Sequence, residues 1–276
     1  MALTVNTNTA SLNAINNLNQ TQRALGGSYE RISSGLRIAK AADDAAGLAV
    51  AESLDAQSAS GRVAMRNTND GISVIQTAEG AMDSVGDIVS RMRELAVQSS
   101  SETLHDDERA YIQDEFEQLS SEIDRIASAT TFNGTALADG TTTALDVQVG
   151  INNTANDRIT ITLSDLTAST LGVDTAAVDL SSATGAQAAI DSFDTALDSV
   201  SGYRSDLGAA QNRLDSALGN METYVENLEG AESQIRDADF AFETAELAKN
   251  QILQQAGVSV LAQAKSMNQG VLSLLG

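Results

Sequence analysis

Between residues 187 and 228 an apolar side chain returns at every seventh position without a miss: Phe193, Val200, Leu207, Leu214, Met221 and Leu228. A sustained repeat of 3.5 residues demands a long helix whose seam is followed by another helix, because only a partner keeps that seam out of water. A second line, Ile190, Leu197, Arg204, Gln211, Leu218 and Val225, runs beside the first with two polar members. Residues 54–99 supply a matching stripe of Ile75, Ala78, Met82, Val85, Val89, Met92 and Ala96, predicting a helix about 65 Å long. Residues 106–129 continue the period with Ile112, Phe116, Leu119, Ile123 and Ile126. Asp106, Asp107 and Glu108 suit the positive N-terminal end of that helix. The chain of 276 residues has no proline, so nothing forbids helices of this length.

The two ends of the chain read differently. Residues 9–36 form a helical pattern with Leu18, Leu25, Tyr29, Ile32 and Leu36 on one stripe, preceded by Leu12 and Ile15. Residues 238–274 are rich in Ala and Gln and carry Ile252, Ala256, Val260, Ala264, Met267, Val271 and Leu274. Each end helix has one apolar stripe, and the two can pair. A two-helix pair leaves much apolar surface in water, and that surface is expected to be an assembly contact. The candidate assembly residues are Leu18, Leu25, Tyr29, Ile32, Leu36, Ile252, Val260, Met267, Val271 and Leu274.

Residues 130–180 are rich in Thr, Gly and Asn. Leu145, Val147 and Val149 alternate with polar residues, as do Ile159, Ile161 and Leu163, which predicts a β-hairpin at about 140–165. The expected fold is mainly α: a long-helix coiled-coil bundle with one small β-hairpin region, and paired N- and C-terminal helices forming an inner segment. The expected domains are 1–45 plus 231–276 for the paired ends, and 46–230 for three long helices with the hairpin.

Charge follows the same division. The formal net charge is −22. Residues 51–230 contribute −21 of it, residues 1–50 contribute +1 and residues 231–276 contribute −2. Near-neutral ends can crowd together, whereas an acidic middle suits a solvated exterior and repels nucleic acid and anionic membranes. No apolar run approaches the roughly 18 residues of a membrane span. The chain begins without a charged n-region and apolar h-region, so composition alone points to the cytoplasm.

Residues for chemistry are missing. There is no cysteine, hence no disulfide and no thiolate metal site. The single histidine, His105, precedes a helix and reads as a solvated turn residue. HExxH, GxxxxGK[ST] and Gly-x-Ser-x-Gly do not occur, and the carboxylates lie on helix faces among other charges. No catalytic, cofactor or metal site is expected.

The residues also carry a family resemblance. Ile32-Ser33-Ser34-Gly35-Leu36-Arg37-Ile38, followed by Asp43-Asp44-Ala45-Ala46-Gly47-Leu48-Ala49, resembles the N-terminal signature of bacterial flagellins. So do Arg91-Met92-Arg93-Glu94-Leu95-Ala96-Val97-Gln98-Ser99 and the turn Phe132-Asn133-Gly134. Toward the C-terminus, Glu226-Asn227-Leu228, Ile235-Arg236-Asp237-Ala238-Asp239, Gln251-Ile252-Leu253-Gln254-Gln255-Ala256-Gly257 and Val271-Leu272-Ser273-Leu274-Leu275 are similar to the family as well. Gly270 and Gly276 stand where members commonly carry proline and arginine. The resemblance covers about 1–135 and 185–276 and leaves a very short middle, so it implies a short form lacking the variable outer domains.

The resemblance implies a structural subunit of the flagellar filament, not an enzyme, with the terminal helices forming an inner tube and the middle forming a shell. It replaces the cytoplasmic expectation with an extracellular one: export through the flagellar type III apparatus without a cleaved signal peptide. The implied partners are further copies of the chain, the filament cap, the hook-junction proteins and an export chaperone on the C-terminal segment. Recognition by an innate-immune Toll-like receptor is implied at Arg91, Leu95 and Glu115. The alternative is a hook-filament junction protein, which shares similar ends but not usually the Arg-Glu-Leu-Ala-Val-Gln stretch.

Overall fold

A computed structural model describes the backbone of residues 8–272 and the side chains of residues 8–266. Leu274 lies outside the described residues, and Met267 and Val271 are described only as helical backbone. The chain divides into two compact units. One draws on both ends, up to Ser58 and from Asn227, and the other is Ala59–Glu226. The boundaries fall inside two long helices, α2 (Ala45–Ser99) and α5 (Ala183–Arg236).

In the central unit α3 (Asp106–Ala129) joins α2 and α5 around one apolar core. The seam residues Ile75, Ala78, Met82, Val85, Val89, Met92 and Ala96 are all buried, as the heptad predicts. Phe116 and Phe193 meet edge to face at 6.0 Å. One expectation on α5 is corrected. Beside the line of Phe193, Val200, Leu207 and Leu214, the second buried line is Ala189, Ala196 and Ala210, not Ile190, Leu197, Arg204 and Gln211. The alanines let the helix backbones approach closely, and Ile190 and Leu197 flank the seam half-buried. Arg204 points outward to Asp83 at 2.9 Å.

Between α3 and α5 the chain forms two antiparallel strand pairs. β1 (Thr131–Phe132) and β2 (Thr135–Ala136) close over Asn133 and Gly134, both at positive φ (49° and 81°). That is the tight turn an Asn-Gly pair supplies, since Asn tolerates and Gly prefers the left-handed region. β3 (Ala144–Gln148) pairs with β4 (Arg158–Thr162), with Leu145 opposite Ile161 and Val147 opposite Ile159. The alternation read from sequence therefore holds in register as well as in place. A short helix, α4 (Ala168–Leu171), was not legible beforehand. It is set against α3 by the Ala168 backbone N–H, which donates to Asp124 Oδ1 at 2.9 Å.

Arg109 closes the α2–α3 turn. It is buried and donates to the carbonyls of Ser99 (3.1 Å), the last of α2, and of Ser101 (2.8 Å) in the turn, so both have a fixed donor. Ser99 Oγ then donates to the Leu180 carbonyl at 2.6 Å, and Gln113 Oε1 accepts from the Leu180 amide at 2.8 Å. These bonds hold the 165–182 segment against the bundle.

The terminal unit is built on α1 (Thr9–Ser34) and α6 (Phe240–Leu272), which run antiparallel. Asn8 Nδ2 donates to the Ala264 carbonyl at 3.0 Å near one end of the pair, and Arg31 Nε meets Glu243 Oε1 at 2.9 Å near the other.

Candidate interaction surfaces

The joint at the base of α1 shows why its motif has the residues it has. Gly35 ends α1 in the left-handed region (φ 73°), where a Cβ is strained, and its amide donates to the Arg31 carbonyl. Leu36 then pairs antiparallel with Asp237. The Arg37 amide donates to the Arg236 carbonyl at 2.7 Å, and the Ala238 amide donates to the Gly35 carbonyl at 2.9 Å. Asp43 Oδ2 accepts from the amides of Ala39 and Lys40, and Asp44 Oδ1 accepts from those of Ala46 and Gly47, which caps the start of α2. A Cβ on Gly47 would lie 2.6 Å from Asp44 Oδ2 and 2.8 Å from Cδ1 of the buried Ile38. The run from Ser34 to Gly47 is a capped turn clasped to the segment before α6.

The α1–α6 pair uses its two expected stripes unequally. Leu18, Leu25, Ile32 and Leu36 are half-buried, and Leu18 Cδ1 would lie 3.3 Å from a Cβ on Gly257 of α6. The expected stripe of α6 is not the one that meets α1. The line of α6 that loses exposure runs through Glu243, Leu247, Asn250, Gln254 and Leu261, with Ala264 of the expected stripe at its edge. Ile252 stays 66% exposed and Val260 58% exposed, with Phe242, Leu253 and Ala256 on the same side of the helix. Tyr29 is also open (53%), its hydroxyl accepting from Gln251 Nε2 at 3.2 Å. Phe242 and Leu253 were not singled out from sequence. Their spacing to Val260, eighteen and seven residues, was the available signal.

The terminal unit also holds buried polar atoms without a hydrogen bond, although their side chains are ion-paired. The Arg31–Glu243 contact is close but not aligned as a hydrogen bond, and Arg31 Nε, Glu243 Oε2 and Arg236 Nε are buried with no hydrogen-bond partner among the described residues. Buried groups of this kind are rare in a finished interface.

The second candidate surface lies on α2 and α3 of the central unit. Arg91 reaches across to Glu115, with Nη2 at 2.9 Å and Nε at 3.1 Å from Oε1, and its Nη1 meets Glu94 Oε2 at 2.9 Å. Hydrogen bonding to Glu94, and then to Glu115, holds the guanidinium above its ordinary pKa. Both Arg91 and Glu115 are half in water, so the pair is open to a partner. Leu95 was expected to contact a receptor, and here the structure calls for a correction. At 1% exposure it belongs to the core, so it supports the backbone under Arg91 and does not offer its side chain.

Other chemistry is absent where the structure can be read. Among the described residues no group of His, Cys, Asp and Glu could hold a metal ion, and no helix is long and apolar enough to cross a membrane. His105 precedes α3, its amide donating to Glu108 Oε2 in a capping box.

Comparison with known proteins agrees with the motifs. Residues 5–143 match the family described as the bacterial flagellin N-terminal helical region, and residues 190–275 match the bacterial flagellin C-terminal helical region. A flagellin of Halalkalibacterium halodurans is 47% identical over 275 residues, covering 98% of this chain and 99% of that one. A Bacillus subtilis flagellin is 39% identical over 303 residues, covering 98% and 99%. The crystal structure of Bacillus cereus flagellin superposes with a TM-score of 0.50 at 32% identity, over 56% of this chain and 88% of that one.

Proposed function

The chain belongs to the bacterial flagellins, and from that premise we propose that it is a structural subunit, not an enzyme, which polymerises with copies of itself into the extracellular flagellar filament used for motility. The observation that carries this reading is the open face of α6. Phe242, Ile252, Leu253 and Val260 stand in water on a helix whose opposite side is already occupied by α1. Apolar surface of that kind marks a contact with another chain. Residues 1–50 and 231–276 together carry only −1, so copies can gather there with little repulsion, and the acidic middle is left for the solvated shell.

The finer partners follow from the same surfaces. The open face of the C-terminal segment offers an export chaperone an apolar target before assembly. The same ends would meet the filament cap and the hook-junction proteins. The exposed Arg91–Glu115 pair is the surface on which a Toll-like receptor would read the subunit, with Leu95 holding the helix beneath it.

Purified chain added to filament fragments, followed by electron microscopy, tests the reading. Long tubes that lengthen with added protein are expected. Chain that caps the fragments and stops would point to a hook-filament junction protein instead.

A further inference from the structure

The arginines of the central unit are not used alike. Residues 51–230 hold nine cations, all arginine, against thirty acids. Arg91, Arg93, Arg109, Arg125 and Arg204 each meet a carboxylate of their own chain. In a protein this acidic that is the expected condition of a cation. Arg66, Arg158 and Arg213 meet no carboxylate among the described residues, and of these Arg158 and Arg213 lie together. Arg158 is held only by neutral amide oxygens, Gln148 Oε1 at 3.1 Å and Asn153 Oδ1. Arg213 has no ion pair or side-chain hydrogen bond among the described residues. Both line one groove of 580 Å³ between the β3–β4 hairpin and α5, together with Asn156, Asn212, Ser216 and Asn220. The groove therefore presents two guanidinium groups and several amide N–H donors with no carboxylate in it.

The matching surface is on α3, which carries eight acids against two arginines. Asp114 and Glu117 line a shallow depression on its outer side with Ser121 and Glu122. Glu122 is taken by Arg125 at 2.6 Å, but neither Asp114 nor Glu117 meets a cation among the described residues. The two surfaces cannot satisfy each other within one chain. Phe116 of α3 packs on Phe193 of α5, and Arg213 lies twenty residues further along that unbroken helix, about 30 Å away.

We propose that the Arg158–Arg213 groove docks the acidic face of α3, centred on Asp114 and Glu117, of a second copy of this chain. The proposal rests on the filament reading and names one lateral or axial contact within it. The fit is one of charge: an anion-poor, donor-lined groove at one level of the unit, and an unneutralised acidic face at another. Because every copy carries both halves, the contact is head-to-tail, the kind that builds a helical filament when its rotation does not close into a ring.

Seeded elongation with measurement of the critical concentration tests it, using the full chain. All named side chains are exposed, so Arg213→Glu and Asp114→Arg should melt like wild type by circular dichroism. At 0.05 M salt each should raise the critical concentration at least roughly threefold, since charge reversal replaces an exposed attraction by a repulsion. The defect should shrink at 0.5 M salt, where the Debye length falls to about 4 Å. Arg213→Lys should stay near wild type. The doubly substituted chain, Arg213→Glu with Asp114→Arg, should recover most of the loss. Single variants that elongate like wild type, or a double variant that is worse than either single, would overturn the docking assignment while leaving the filament reading intact. Wild-type chain that does not elongate would overturn both.

Discussion

Truncating the open face of α6 separates assembly from folding. Ile252 is 66% exposed and Val260 58% exposed in the single chain. Fully burying such a side chain is worth about 1.5–3 kcal/mol, so the uncovered part of Ile252 holds about 1–2 kcal/mol and that of Val260 about 1–1.5 kcal/mol. Alanine keeps Cβ and removes most of the remainder. The pair Ile252→Ala and Val260→Ala should therefore cost each added subunit about 2 kcal/mol, or roughly a thirtyfold rise in critical concentration. The monomer should lose almost nothing, because neither residue is covered there and alanine has the better helix propensity. Leu18→Ala is the contrast. Leu18 already packs beside Gly257, so its loss should weaken the α1–α6 pair and the polymer together. Sedimentation of seeded mixtures gives the critical concentration, and thermal melting of dilute chain gives the monomer term. A critical concentration within threefold of wild type, or an equal drop in monomer melting, would show that the α6 face is not an assembly contact.

Salt should speed elongation between 0.01 M and 0.15 M as the Debye length falls from about 30 Å to about 8 Å, because each central segment carries a net −21; flat or falling rates would contradict the charge distribution. Arg91→Ala and Glu115→Ala should weaken receptor signalling in reporter cells and leave filaments intact, while Leu95→Ala should destabilise the central unit by about 2–5 kcal/mol in denaturant melts, as a core truncation does. The Asp179 carboxyl is held below its ordinary value by hydrogen bonds from the hydroxyl and amide of Ser181. Its folded pKa is depressed, so that stabilisation is present above about pH 4 and is lost as pH falls through the folded value. Asp179→Asn should therefore lose less urea stability than wild type between pH 5 and pH 3, and an identical pH response would refute the role. Proteolysis of dilute chain should trim both ends to a stable core within the central unit, because the α1–α6 pair lacks cover on one side; uniform resistance along the chain would count against an incomplete terminal unit.

Local pattern determined a large part of this protein. The heptad of α2, the apolar line of α5 from Phe193 to Leu214, the Asn133-Gly134 turn and the alternation of β3 and β4 all reappear where the sequence puts them. They do so because periodicity, positive φ and pleat are properties of neighbours in the chain. Part of the flagellin motif belongs with them, since the left-handed Gly35 and the Asp43 and Asp44 caps of the turn from Ser34 to Gly47 are local, while Leu36 and Arg37 bond to the segment before α6.

Tertiary structure decided which of several apolar lines meets which partner. On α5 the alanines at 189, 196 and 210 take the second seam because close approach to the neighbouring helices favours small side chains, whereas hydropathy alone favours Ile190 and Leu197. On α6, Leu247, Gln254 and Leu261 face α1 and the more apolar Ile252 and Val260 face water. A single chain buries what its own geometry can reach, and the remainder is left for other copies. Leu95 went to the core and Arg213 kept its charge unpaired for the same reason: sequence states what a side chain can do, and distance in the fold determines what it finds.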